Sequence, residues 1–238
     1  MPAARESLLN AALAALGDLP WSGVRMVDVA AAAGVSRQTL YNEFGSKEGL
    51  GRALVRREAD AYLRGVERLM GQSAGAADRL VSVAEWTVVE ARTRPLLRAL
   101  LTGCWGDRLP APGPAGGEAV SARVPAQRRA EAKLPVPADL VAAVRERSLT
   151  ARRGRRHKTG HGWPGGAAGR PHATEAAARP GGTEEQAEET ADLPQRCELA
   201  VRLALSYVVA PAGGSVAQLV RAAVGEDVTA RSPRAGDR

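Results

Sequence analysis

The sequence predicts an all-α protein: an N-terminal three-helix domain with a helix-turn-helix, then a C-terminal helical domain with long disordered loops. Three observations predict it. Apolar residues recur at helical spacing through most of the chain, with no sustained strand alternation. Glycines and prolines punctuate that pattern where helices should end. Between Met26 and Glu48, two short helical patterns flank a Gly34-Val35-Ser36 turn, and a third helix starts at once.

The first helix should run from about Ala3 to Leu16, with Leu8, Leu9, Ala12, Leu13 and Leu16 inward and Gly17 ending it. Asp18 to Gly23 is rich in turn residues, with Trp21 a plug under the core. In the second helix Met26, Val29 and Ala30 form a buried face. Gly34 stands where the chain must turn at positive φ, and Val35 plugs the angle. Ser36 can cap the third helix, whose inner face is Leu40 and Phe44. Arg37, Gln38, Thr39, Tyr41 and Asn42 are left outward or at its N-terminal end. Ser46 caps a fourth helix, from Lys47 to about Met70, and Gly71 to Gly75 breaks it.

Residues 76–103 hold two further helical stretches separated at Pro95. Residues 106–137 read as a Pro-, Gly- and Ala-rich loop, and Leu140, Val141, Val144 and Leu149 restart a helix. Residues 151–190 combine a basic run, glycines, prolines and an acidic run; too little apolar surface predicts disorder. Helical order resumes near Asp192 and ends at Pro211; Ser215 caps a last helix. The expected divisions are 1–60, the helix-turn-helix domain; 61–225, a C-terminal helical domain; and 226–238, a disordered tail.

The outward residues of the third helix suit base reading. Arg and Gln can make bidentate contacts with guanine and adenine edges, and a Thr methyl can touch a thymine methyl. Tyr41 and Lys47 suit phosphates, which set register. Arg25, Ser36, Arg37, Gln38, Thr39, Tyr41, Asn42 and Lys47 are therefore the candidate DNA-binding residues. Charge adds nothing: the formal net charge is +7, but residues 1–60 hold seven basic and seven acidic side chains. A plain three-helix core with a solvated polar face is the bland alternative, and the joint spacing of the motif residues argues against it.

The run Ala30, Gly34-Val35-Ser36, Thr39-Leu40-Tyr41, Phe44 and Ser46-Lys47-Glu48 resembles the DNA-binding domain of TetR-family transcriptional regulators, over about the first 60 residues. Gly49 departs from it, where a helix-forming residue is usual, at a cost of up to about 1 kcal/mol. The resemblance implies a homodimer on a double-stranded DNA operator, and a repressor released by a small-molecule effector. It implies that the last two helices pair with a twin chain, with Leu205, Val208, Leu219 and Val220 as the apolar surface. It also places an effector pocket between residues 76–103 and 138–150, with Trp86, Val89, Leu100 and Trp105 as lining candidates. Relative to the family, 151–190 is an insertion, or a shifted reading frame in high-GC sequence.

Two other classes compete. A constitutive dimeric DNA-binding protein would need no effector. An enzyme would need chemistry that the motifs do not supply: His157 and His161 have zinc-like spacing, but they and His172 lie in glycine-rich low-complexity sequence. No cofactor, metal or membrane is expected. Cys104 and Cys197, isolated and both read as small core hydrophobes, fit a reducing cytoplasm.

Overall fold

In a computed structural model, residues 2–72, 74–111, 137–159, 182–211 and 213–225 are described. Among them the secondary structure is entirely helical: α1 (Pro2–Asp18), α2 (Met26–Ala32), α3 (Arg37–Phe44), α4 (Lys47–Met70), α5 (Ala76–Thr93), α6 (Pro95–Thr102), α7 (Pro137–Thr159), α8 (Gly182–Val209) and α9 (Val216–Gly225), with a 3-10 turn at Trp21–Gly23. No described helix is long and apolar enough to cross a membrane.

The described chain forms two compact units. The first joins Met1–Arg64 with Val89–Leu140, and the second joins Gly65–Val88 with Val141–Arg238. In the first unit, α1 packs on α2 and α3. Leu8, Leu40, Phe44, Leu50 and Leu54 are all buried there, along with Leu97 and Leu100 of α6. Arg57 of α4 ties α1 down, donating to Glu6 at 3.0 Å and Asn10 at 2.7 Å. Pro95 starts α6 at a position where a missing N–H costs nothing, and Gly103 ends it at φ 72°.

In the second unit the α8–α9 pair buries Cys197, Val201 and Ala204 with Val216, Val220 and Val224. Gly65 is needed at its position because the Trp86 indole lies on it: a Cβ there would stand 2.0 Å from a ring carbon. Arg147 of α7 meets Glu67 at 3.0 Å.

The stretch expected to be structureless, 151–190, is partly helical. α7 continues to Thr159 and α8 begins at Gly182, about ten residues before the expected restart. The physical reason is that low apolarity rules out a core, not a helix. The arginine-rich and glutamate-rich runs are made largely of residues with good intrinsic helix propensity. The middle of that stretch, most of the expected 106–137 loop, and the 226–238 tail lie outside the described residues.

Cys104 also departs from expectation: it is exposed, because it follows the αL glycine that ends α6 and lies beyond the helix's buried face. Cys197 is buried as expected, and burial pushes its thiol up to about 12.

Candidate nucleic-acid interface

Local chemistry builds the turn that presents α3. α2 ends at Ala32 with Ala33 as its C-cap, and Gly34 takes φ 67°. Gly34 N–H donates to Ala31 C=O at 3.1 Å and Val35 N–H to Ala30 C=O at 3.0 Å. This double closure satisfies carbonyls that would otherwise be orphaned, and only a residue tolerant of positive φ sits easily at its centre. Val35, half-buried, follows in the angle.

Ser36 starts α3: its Oγ accepts from the Thr39 N–H at 3.0 Å and lies 2.9 Å from the Thr39 hydroxyl. Such a cap is worth about 1 kcal/mol. Leu40 and Phe44 are fully inside, and Arg5 of α1 stacks its guanidinium 4.7 Å from the Phe44 ring centroid while reaching Glu43 at 3.3 Å. The inner face of α3 is thereby fixed in rotation.

That fixing sends Arg37, Gln38, Tyr41 and Asn42 outward, all exposed, with Thr39 half-buried beside its cap. Gln38 Nε2 donates to Asn42 Oδ1 at 2.8 Å, so the two amides are held as a pair one helical turn apart. Arg37 has no ion-pair partner among the described residues. Arg25, at the N-cap of α2, is exposed and meets Asp28 at 3.1 Å. An exposed pair of that kind is worth at most about 1 kcal/mol and yields readily to a phosphate.

Lys47 takes a position that the sequence did not disclose. Its Nζ donates to Ser22 C=O at 3.1 Å and stands 5.3 Å from the Trp21 ring centroid, so it braces the 3-10 turn against the start of α4. Trp21 is half-buried and packs beside Gly51, so it plugs the α4 side of the head. Ser46 caps α4 by accepting from Gly49 N–H at 3.1 Å. Glu48, in the first turn, has its carboxyl held below the usual range, chiefly by a backbone hydrogen bond and the Ser46 hydroxyl.

Gly49 is a fit and not a flaw. A Cβ there would stand 1.9 Å from the Phe44 carbonyl oxygen, so the backbone leaving α3 approaches α4 at that residue. Gly45 makes the approach possible at φ 73°. The sequence flagged Gly49 only as a poor helix former, because a close backbone approach has no local signature.

The lining candidates for an effector pocket fall in both units. Trp86 sits in the second unit against Gly65. In the first unit Val89 is 56% exposed, Leu100 is closed inside the core and Trp105 is half-buried. One cavity of that unit is walled by α1, Glu58 and the α5–α6 bend. Helical periodicity placed these residues on one side of their helices but not against any particular neighbour.

The dimer candidates divide similarly. Val208 and Val220 are inside the protomer, Leu205 is half-buried and Leu219 is exposed. Packing of α9 on α8 consumes the strongest apolar stripe of each. His157 falls in α7 where side chains are not described, and His161 and His172 lie outside the described residues.

Residues 8–54 match the family model for bacterial regulatory proteins of the tetR family. The chain is 37% identical over 100 residues to the HTH-type transcriptional regulator AlkX of Mycobacterium tuberculosis, a match covering 42% of this chain and 47% of that protein. It thus spans about half the length of that curated relative. Among solved structures it is similar to the TetR family repressor AlkX from Dietzia sp. strain DQ12-45-1b, implicated in biodegradation of n-alkanes: 19% identity, TM-score 0.48, 93% of this chain and 91% of the other. A tetR-family transcriptional regulator from Streptomyces coelicolor gives 19% identity and a TM-score of 0.46 over 95% and 79% of the two chains.

Proposed function

We propose that this chain, which carries a tetR-family domain at residues 8–54, is a sequence-specific DNA-binding transcriptional repressor that leaves its operator when a small-molecule effector binds. One observation carries the reading: α3 is capped, turned and locked so that Arg37, Gln38, Tyr41 and Asn42 face outward together. A helix so presented fits the major groove, where its N-terminal residues meet base edges. Arg37 and Gln38 read bases; Arg25, Tyr41 and Lys47 hold phosphates.

One such helix reads few base pairs, so two heads on one duplex are required for specificity. The second copy joins through the α8–α9 pair, on apolar residues its own packing leaves outside: Leu219, 39% exposed, and Val209, 63% exposed. Release follows from a population shift, in which the effector binds the arrangement that cannot span both half-sites more tightly.

Selection of duplexes from a random pool by the full chain tests the reading. An inverted repeat should emerge, its half-sites spaced by whole helical turns, with two chains per duplex in sedimentation. Leu219→Glu with Val209→Glu should give monomers that lose the selected duplex. A pool without enrichment would overturn the reading.

A further inference from the structure

We propose that the first unit holds a binding site for an apolar molecule with a cationic head, wedged between α1 and the α5–α6 bend. The proposal rests on the effector-release reading above and gives it a place and a ligand chemistry.

A cavity of about 540 Å³ lies there, within the range of about 300–1,000 Å³ usual for small-molecule sites. Leu13 and Leu16 of α1 line one side, and Pro95 and Leu96 at the start of α6 another. The segment Gly106–Leu109 lines a third. Leu13 and Leu16 were expected in the core, yet both are only half-buried, because the space beside them is this cavity.

The polar end is Glu58 of α4, whose side chain is 4% exposed. Its Oε2 meets Arg94 Nη2 at 2.7 Å, and Arg94 Nη1 donates at 2.8 Å to Glu90 Oε2. One guanidinium therefore serves two carboxylates, Glu58 in the wall and Glu90 outside it, and the three groups together keep a net negative charge. Asp107 and Arg108, the other charged residues of the wall, offset one another. An anionic head would meet like charge at the buried Glu58; a cationic head would complete the pairing.

The site touches the reading head directly. α1, one of its walls, is the helix on which α2 and α3 pack. The segment Gly106–Leu109 is bonded to the turn that leads into α2: Trp21 N–H donates to Arg108 C=O at 2.9 Å. An occupant that spreads the wedge displaces α1 and that turn together.

The probes are decylamine, decanol and decanoate, titrated calorimetrically into the full chain without DNA. Decylamine should bind one to one, and decanoate at least tenfold more weakly. Glu58→Gln should bring amine and alcohol within about twofold. Leu16→Trp, which fills the cavity, should abolish amine binding, with circular dichroism reporting that the variant is folded; Leu109→Trp serves if it is not. Decanoate binding as tightly as decylamine, or amine binding that neither cavity-filling variant weakens, would overturn the site. Titration of a selected operator separates the two readings. Amine that occupies the cavity without releasing DNA supports the site and defeats effector release. Operator released by another molecule while decylamine fails to bind defeats the site alone.

Discussion

Replacing Gly49 by alanine sets two physical arguments against each other. Helix propensity alone favours alanine by up to about 1 kcal/mol. The new Cβ, however, would stand 1.9 Å from the Phe44 carbonyl oxygen. Carbon–oxygen contacts settle at about 3.3 Å or beyond, so the backbone joining α3 to α4 has to open by more than 1 Å. The obstacle is main chain and not the tip of a flexible side chain, which puts the strain at or above the upper end of the about 1–3 kcal/mol typical of overpacking. The net expectation is a loss of about 2 kcal/mol or more, a fall of roughly 4–8 °C in Tm for a chain of this size. The C-terminal end of α3 is displaced in the same step, so on the proposed function affinity for a selected operator should fall too. Gly17→Ala is the internal control. Nothing lies within 4 Å of its Cβ, and the substitution should be neutral or slightly stabilising. Thermal melts followed by circular dichroism measure both. A Gly49→Ala protein with an unchanged or higher Tm would refute the close approach.

Two further outcomes follow from particular contacts. On the proposed function Lys47 exchanges Ser22 C=O for a phosphate, so Lys47→Ala should reduce the slope of log K against log salt by about 0.9; an unchanged slope would show that the side chain serves only the Trp21 turn. Cys104 is exposed whereas the Cys197 thiol is raised to about 12, so the native protein should release one equivalent from a thiol reagent at pH 8 and two in guanidinium. The unfolded thiol ionises first, near 9.0, so the Cys197 contribution to stability is complete below that pH and declines as pH rises toward 12. Two native thiols reacting at one rate would contradict the burial.

The helix-turn-helix was legible because its determinants are local. The Gly34 turn, the Ser36 and Ser46 caps and the Leu40–Phe44 spacing each act within a few residues, and the structure realises all of them. Helix extent was less legible around 151–190, where low apolarity and good helix propensity point in opposite directions. Gly49 misled for a related reason, since its partner is the backbone of another element. Packing beyond the helix-turn-helix was least legible. Glu58 is marked by nothing in its neighbourhood, and only the four-residue spacing of Glu90 and Arg94 hinted at the cluster. Val208 and Val220 belong to the protomer core because α9 packs on α8, a choice that periodicity alone leaves open.

The central claim is that the exposed face of α3 reads base edges. The most direct test is the ratio of affinities for a selected duplex and a random one, measured at one salt concentration for the wild type, Arg37→Ala and Gln38→Ala. Both residues are exposed at the N-terminal end of α3. Each substitution should cost about 1–3 kcal/mol on the selected duplex while changing binding to random DNA far less, so the ratio falls by about fivefold or more. Equal losses on both duplexes would mean that these side chains only neutralise phosphates, and the claim of base reading by α3 would be contradicted.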